Sequence, residues 1–143
     1  MAFIIIGDSF TFPEGNAATN RVYTYSKGLI KHGITIHVIC FRSDYLIEQS
    51  GEIEGIKYYH PFAQTERNSH FIVRRWLNLQ KYNNTIKLLR IISREDKIHQ
   101  ITVYTTRLTT HLFAWSLSRI FKAKLIRECS EHPLSQYQKN AIT

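Results

Sequence analysis

The run Phe3-Ile4-Ile5-Ile6 constrains this chain more than any other stretch. Four consecutive apolar residues, three of them β-branched, stop at Gly7-Asp8 and read as a buried strand. An irregular loop with Pro13 and Gly15 follows, and helical periodicity begins near Asn16. A strand, a glycine-bearing loop and a helix in that order open a doubly wound α/β domain. Ligands of such domains bind outside the carboxyl ends of the strands. Function is therefore expected at the loop 8–16 and at the strand ends that meet it.

The rest of the chain repeats the alternation. In 16–32, Ala18, Val22, Tyr25 and Leu29 recur at helical spacing, with Asn16 as N-cap and Gly33 at the C-cap position. Residues 34–41 form a second strand, apolar enough for a sheet covered on both faces. The charged stretch 42–55 reads as a connection, 56–60 as a short strand ended by Pro61, and 62–68 as loop. A long helix is predicted over 69–94, with a break near Asn83-Asn84. Ile72, Trp76, Leu79, Asn83, Ile86 and Leu89 or Arg90 mark one side, mostly apolar, and Arg74, Asn78, Lys81 and Thr85 the opposite, polar side. A strand over 98–105 precedes a helix over 109–122 that is apolar around most of its circumference and so expected to be largely buried. A last strand, 123–128, and a loop, 129–133, lead into the start of another helix. The expected fold is α/β, a Rossmann-like doubly wound parallel sheet of about five strands in the order 3-2-1-4-5. The first strand should be central and 56–59 at an edge.

At 143 residues, one domain spans 1–143. Its 43% hydrophobic and 13% aromatic content supports a core and argues against disorder. Because the chain stops as a helix begins, it is expected to be part of a longer protein. No apolar run reaches the roughly 20 residues of a membrane span, and the N-terminus lacks the marks of a signal peptide. A cytoplasmic location is expected. The net charge of +8 favours anionic partners. Cys40 and Cys129 fall near the ends of strands three steps apart in the expected sheet, roughly 14 Å. A disulfide cannot reach that far.

Several chemistries lack their residues. Gly7 and Gly15 are too far apart for a dinucleotide fingerprint, and no P-loop lysine follows. No G-x-S-x-G elbow supports a hydrolase, and the seven histidines show no metal-ligand spacing. What remains is a helix N-terminus behind Gly15, which offers N–H groups and a positive dipole end to an anion or a sugar hydroxyl. A second cluster, Glu128-Cys129-Ser130-Glu131-His132-Pro133, ends the last strand and could hold sugar hydroxyls or take a proton. The long helix carries Arg74, Arg75, Lys81 and Lys87, a basic face suited to peripheral contact with an anionic bilayer. No nucleic-acid docking motif is present.

Two blocks point to a family. Phe12-Pro13-Glu14-Gly15-Asn16-Ala17-Ala18-Thr19-Asn20-Arg21, then Lys27-Gly28-Leu29 and Gly33-Ile34-Thr35-Ile36-His37-Val38, resembles the opening of GT-B glycosyltransferases of family 4, with their "P-x-G-x-A" loop. Arg127-Glu128-Cys129-Ser130-Glu131-His132-Pro133 resembles the "R-E-x-x-E-(aromatic or His)-P" segment of many bacterial members. The resemblance implies the N-terminal, acceptor-binding half of a retaining, hexosyltransferase-type enzyme of polysaccharide or glycolipid assembly, with a nucleotide-sugar donor gripped mainly by an absent C-terminal half. It implies substrate-binding roles for Gly15, Asn16, Arg21 and Glu128, and catalytic roles for Glu131 and His132. No cofactor is implied; the transferase is metal-independent, because helix dipoles and basic residues neutralise the leaving diphosphate. This half alone is expected to be inactive. Members acting on lipid acceptors often carry a histidine at the end of the fourth strand, where this chain has Tyr104-Thr105-Thr106. The rival reading is a stand-alone flavodoxin-like or receiver-like binding module. A receiver needs an acidic cluster by the first strand, where only Asp8 is present.

Overall fold

β1 (Ala2–Gly7) lies at the centre of the sheet, with parallel neighbours on both sides. The computed structural model describes residues 1–42, 48–62 and 66–129. After β1 come α1 (Ala17–Ile30), β2 (Thr35–Cys40), β3 (Ser50–Ile53), β4 (Ile56–Tyr59), α2 (Phe71–Glu95), β5 (Ile98–Tyr104), α3 (Leu108–Ile120) and β6 (Lys124–Arg127). The sheet order is β3-β4-β2-β1-β5-β6.

The architecture is α/β, but the sheet has six strands and is mixed, so its order differs from the five-stranded parallel one expected. The difference is β3, which pairs antiparallel with β4 and takes the edge position expected for 56–59. The stretch read as a polar connection folds into a hairpin because Glu54 and Gly55 both adopt positive φ, 48° and 81°. That pair of conformations is what a two-residue type I′ turn requires. It sets Ile53 opposite Ile56, and the exposed Lys27–Glu54 ion pair ties the turn to α1.

The two faces of β1 feed two cores. Ile5 packs with Val22 of α1, Ile36 and Val38 of β2, and Phe10 and Phe12 of the loop after β1. Ile4 and Ile6 pack with Leu89 and Ile92 of α2, and Ala114 and Leu117 of α3. Apolar side chains on alternating sides of one strand are what a sheet covered on both faces demands. The Asn16 carboxamide caps α1, accepting from Ala18 N at 3.0 Å and Thr19 N at 3.3 Å. At the other end Ile34 N bonds Leu29 O and Gly33 N bonds Ile30 O, a Schellman closure with Gly33 at φ 74°.

Two helices depart from expectation. α3 buries only Thr110, Ala114, Leu117 and Ser118 and leaves Leu108, Leu112 and Trp115 exposed. α2 runs unbroken through Asn83-Asn84, and its buried residues are Lys81, Thr85, Leu89 and Ile92. The two polar ones come from the side expected to face solvent. Both are satisfied internally: Thr85 Oγ1 donates to Lys81 O at 2.8 Å, and Lys81 Nζ donates to Phe41 O at 3.3 Å. The ammonium also lies 5.5 Å from the ring centroids of Phe41 and Tyr82. Ile72, Trp76 and Leu79, expected to face the core, are exposed.

His37 of β2 is buried against Tyr59, its Nδ1 3.2 Å from the phenol oxygen. Burial, reinforced by Lys57 and opposed by Asp96, lowers its pKa from 6.5 to about 4. Between those values the unfolded chain binds a proton that the folded chain refuses. Stability should therefore fall as pH drops from 6.5 toward 4, by about 3 kcal/mol over the full window. Urea midpoints at pH 7.5 and 4.5 should differ less for His37→Phe than for the native chain. Equal differences would remove His37 as the cause.

Candidate functional site

Five strands run parallel, so their carboxyl ends share one rim of the sheet. On that rim the residues after β1, β5 and β6 meet the start of α1. They enclose an open pocket of about 370 Å³, lined by Ser9, Asn16, Ala17, Ala18, Arg21, Tyr104, Thr105, Thr106, Arg127, Glu128 and Cys129. Asn16, Arg21 and Glu128, expected to bind substrate, are thus brought together from the two ends of the described chain. Glu128 also accepts from the Tyr25 hydroxyl at 3.5 Å. Glu131 and His132, the expected catalytic pair, lie outside the described residues.

Gly15 has a packing role in the loop after β1. It is not among the pocket's lining residues. A Cβ there would instead collide with the Oγ1 atoms of Thr11 and Thr19. Those hydroxyls are engaged, Thr11 Oγ1 donating to Glu14 O at 2.5 Å and Thr19 Oγ1 to Thr11 O at 2.6 Å. The missing side chain serves the packing of the loop on itself, and a substitution acts first on that packing. The N-terminus of α1 is likewise largely self-satisfied, since Asn16 takes the N–H groups of Ala18 and Thr19.

Beneath the pocket lies a polar brace that the sequence reading missed. Thr105 Oγ1 donates to Asp8 Oδ1 at 2.6 Å and Thr110 Oγ1 to Asp8 Oδ2 at 3.0 Å. Arg107 Nε stands 3.6 Å from the same carboxylate, whose side chain is 7% exposed. Thr105 Oγ1 also accepts from Arg107 N at 3.0 Å. The brace holds 105–107, which carries two lining residues, against the end of β1. Lys81 belongs with it: burial lowers the ammonium's pKa, with a smaller push from Arg107, while Asp8 works the other way. At 5% exposure Lys81 cannot touch a membrane, which corrects its expected surface role. Arg75 remains exposed and Arg74 half-buried.

Ser9, Thr106 and Arg127 join the pocket without having been singled out as site residues. Each stands at or within two residues of a strand's carboxyl end, which was the available signal. Cys40 and Cys129 are not joined in a disulfide. Among the described residues no three His, Cys, Asp or Glu side chains group as a metal site. Within the same residues no helix is long and apolar enough to cross a membrane. Neither the models of known families nor the curated proteins contain a match to this chain.

Proposed function

We propose that this chain is the N-terminal, acceptor-binding half of a retaining GT-B glycosyltransferase. In the full-length protein it would receive a hexose from a nucleotide-sugar onto a polysaccharide or glycolipid acceptor. The observation that carries this reading is the rim pocket. It joins Asn16 and Arg21 from the loop and helix after β1 to Arg127 and Glu128 at the end of β6. These are the two stretches on which the likeness to that family rests, about a hundred residues apart in the chain.

The chemistry of the lining suits a sugar. The Glu128 carboxylate accepts from hydroxyls, Ser9 and Thr106 donate and accept, and Arg21 and Arg127 supply positive potential to an anionic neighbour. The pocket is open on one side, as half of an interdomain cleft would be. The rival receiver-like reading loses support at Asp8, whose carboxylate is enclosed and committed to two hydroxyls.

Amide chemical shifts recorded during titration with millimolar oligosaccharides test the acceptor assignment. Shifts should concentrate at Ser9, Asn16, Arg21, Thr106, Arg127 and Glu128. Shifts confined to the opposite rim, or none with any saccharide, would contradict it.

A further inference from the structure

α3 buries one side and leaves the other bare. At the helical repeat, Leu108, Leu112, Trp115 and Arg119 fall within about 60° of one another, opposite buried Thr110, Ala114 and Leu117. The three apolar members of this stripe are 70%, 52% and 47% exposed. Exposed apolar residues singly need no explanation, but three in line along a helix form a patch of the kind that marks an interaction site. None of them lines the rim pocket, so the stripe is a separate surface.

The C-terminal end of the stripe is charged. The Arg119 guanidinium lies 5.5 Å from the Trp115 ring centroid, which holds the cation on the stripe itself. Arg119, Lys122 and Trp115 line an open pocket of about 400 Å³ with Ser118, Ala123 and Leu125. No carboxylate answers these cations. Among the described residues neither Arg119 nor Lys122 belongs to an ion pair, and the stretch 97–127 holds six Lys or Arg and no Asp or Glu. A second copy of the chain would bring the same uncompensated cations. A bilayer fits poorly too. Arg119 is the only Lys or Arg within α3, so the stripe lacks the cationic flanks that an interfacial helix lays along its length. Its cations instead border a concavity at one end, which a fixed side chain fills and a fluid headgroup layer does not.

We propose that the outward face of α3 docks an acidic amphipathic helix of a partner protein. The partner's apolar side lies along Leu108, Leu112 and Trp115, and carboxylates in its first turn meet Arg119 and Lys122. The charges set the direction as antiparallel. Acidic residues favour the N-terminus of the helix that carries them, and Arg119 and Lys122 stand at the C-terminal end of α3. The inference needs no donor sugar and no transfer reaction; its failure would leave the acceptor reading untouched.

The chain has two tryptophans, and Trp76→Phe leaves Trp115 as the sole reporter. The probe is a synthetic helical peptide with glutamates in its first turn and leucines spaced alternately three and four apart. Its binding should shift Trp115 emission to the blue and change the amide shifts of Leu108, Leu112, Trp115, Arg119 and Lys122. Arg119→Gln with Lys122→Gln should weaken binding about tenfold. Leu112→Ser should weaken it also, and circular dichroism should report unchanged helix content in both variants. Replacing the peptide's glutamates by glutamines should weaken its binding to the native chain to the same extent. No binding of the acidic peptide, equal binding of the two peptides, or amide changes confined to other surfaces overturns the proposal. So does a Trp115 shift with phosphatidylglycerol vesicles but not with the peptide. A concentration-dependent dimer in sedimentation that Leu112→Ser abolishes overturns it as well, because a second copy would then cover the stripe.

Discussion

Gly7→Ala is expected to destabilise the fold by about 3 kcal/mol, lowering the thermal midpoint by roughly 10 °C. Gly7 ends the central strand, directly opposite Tyr104 of β5. A Cβ built on it would fall inside the contact radius of the Tyr104 carbonyl and of the Phe10 ring. The carbonyl belongs to the neighbouring strand and cannot swing aside as a side-chain tip would. Relief requires β1 and β5 to separate where the rim pocket is built. Gly28→Ala is the control with the opposite sign. Gly28 lies inside α1, nothing stands within 4 Å of its would-be Cβ, and helix propensity alone should give about 0.5–1 kcal/mol of stabilisation. Urea denaturation of both variants measures the contrast. Equal, small effects at the two positions would show that β1 and β5 tolerate a wider spacing at the rim.

Asp8→Ala should cost about 3 kcal/mol, and Asp8→Asn clearly less. The alanine leaves the Thr105 and Thr110 hydroxyls without their acceptor and removes the carboxylate that faces Arg107 and buried Lys81. The carboxamide keeps one acceptor oxygen and can donate to the other hydroxyl. Because Thr105 also receives Arg107 N, the alanine variant should loosen 105–107 beyond the loss of stability. Amide hydrogen exchange at Thr106 and Arg107 reads that local effect. Equal costs for the two variants, with unchanged exchange, would reduce Asp8 to a packing residue.

The strands were legible where the physics is one-dimensional. β1, β2 and β5 lie inside a sheet covered on both faces, so their apolar runs announce them without knowledge of partners. β3 failed that test because Ser50 and Glu52 sit at an exposed edge, where no apolar run is required. Its signal lay in the turn: two residues, Glu54-Gly55, between Ile53 and Ile56, each flanked by alternation. α2 was misread for a different reason. Periodicity assumes that a helix packs along its whole length, and none of the first ten residues of this one is buried. With that stretch set aside, the inward face is set by Lys81 and Thr85, whose hydrogen bonds no hydrophobicity pattern reveals.

The site was legible in position more than in contact. Strand ends predicted a rim, and the rim holds Asn16, Arg21 and Glu128 in one pocket. The brace was not legible, because Asp8 and Thr105 become neighbours only through the register that pairs Gly7 with Tyr104. The packing role of Gly15 was not legible for a related reason. A glycine before a helix serves equally well to admit a ligand or to admit two threonine hydroxyls, and only three-dimensional packing separates these.

The central claim is that these residues supply the acceptor side of a cleft whose donor side lies elsewhere. Among the described residues the rim pocket offers hydroxyls, two arginines and one carboxylate and is open to one side, whereas a small-molecule site buries most of its ligand. Calorimetric titration of the purified chain with a panel of nucleotide-sugars tests this directly. Dissociation constants no tighter than about 1 mM, near −4 kcal/mol, are expected, with no turnover. A micromolar constant for any of them would place the donor site within these residues and contradict the assignment.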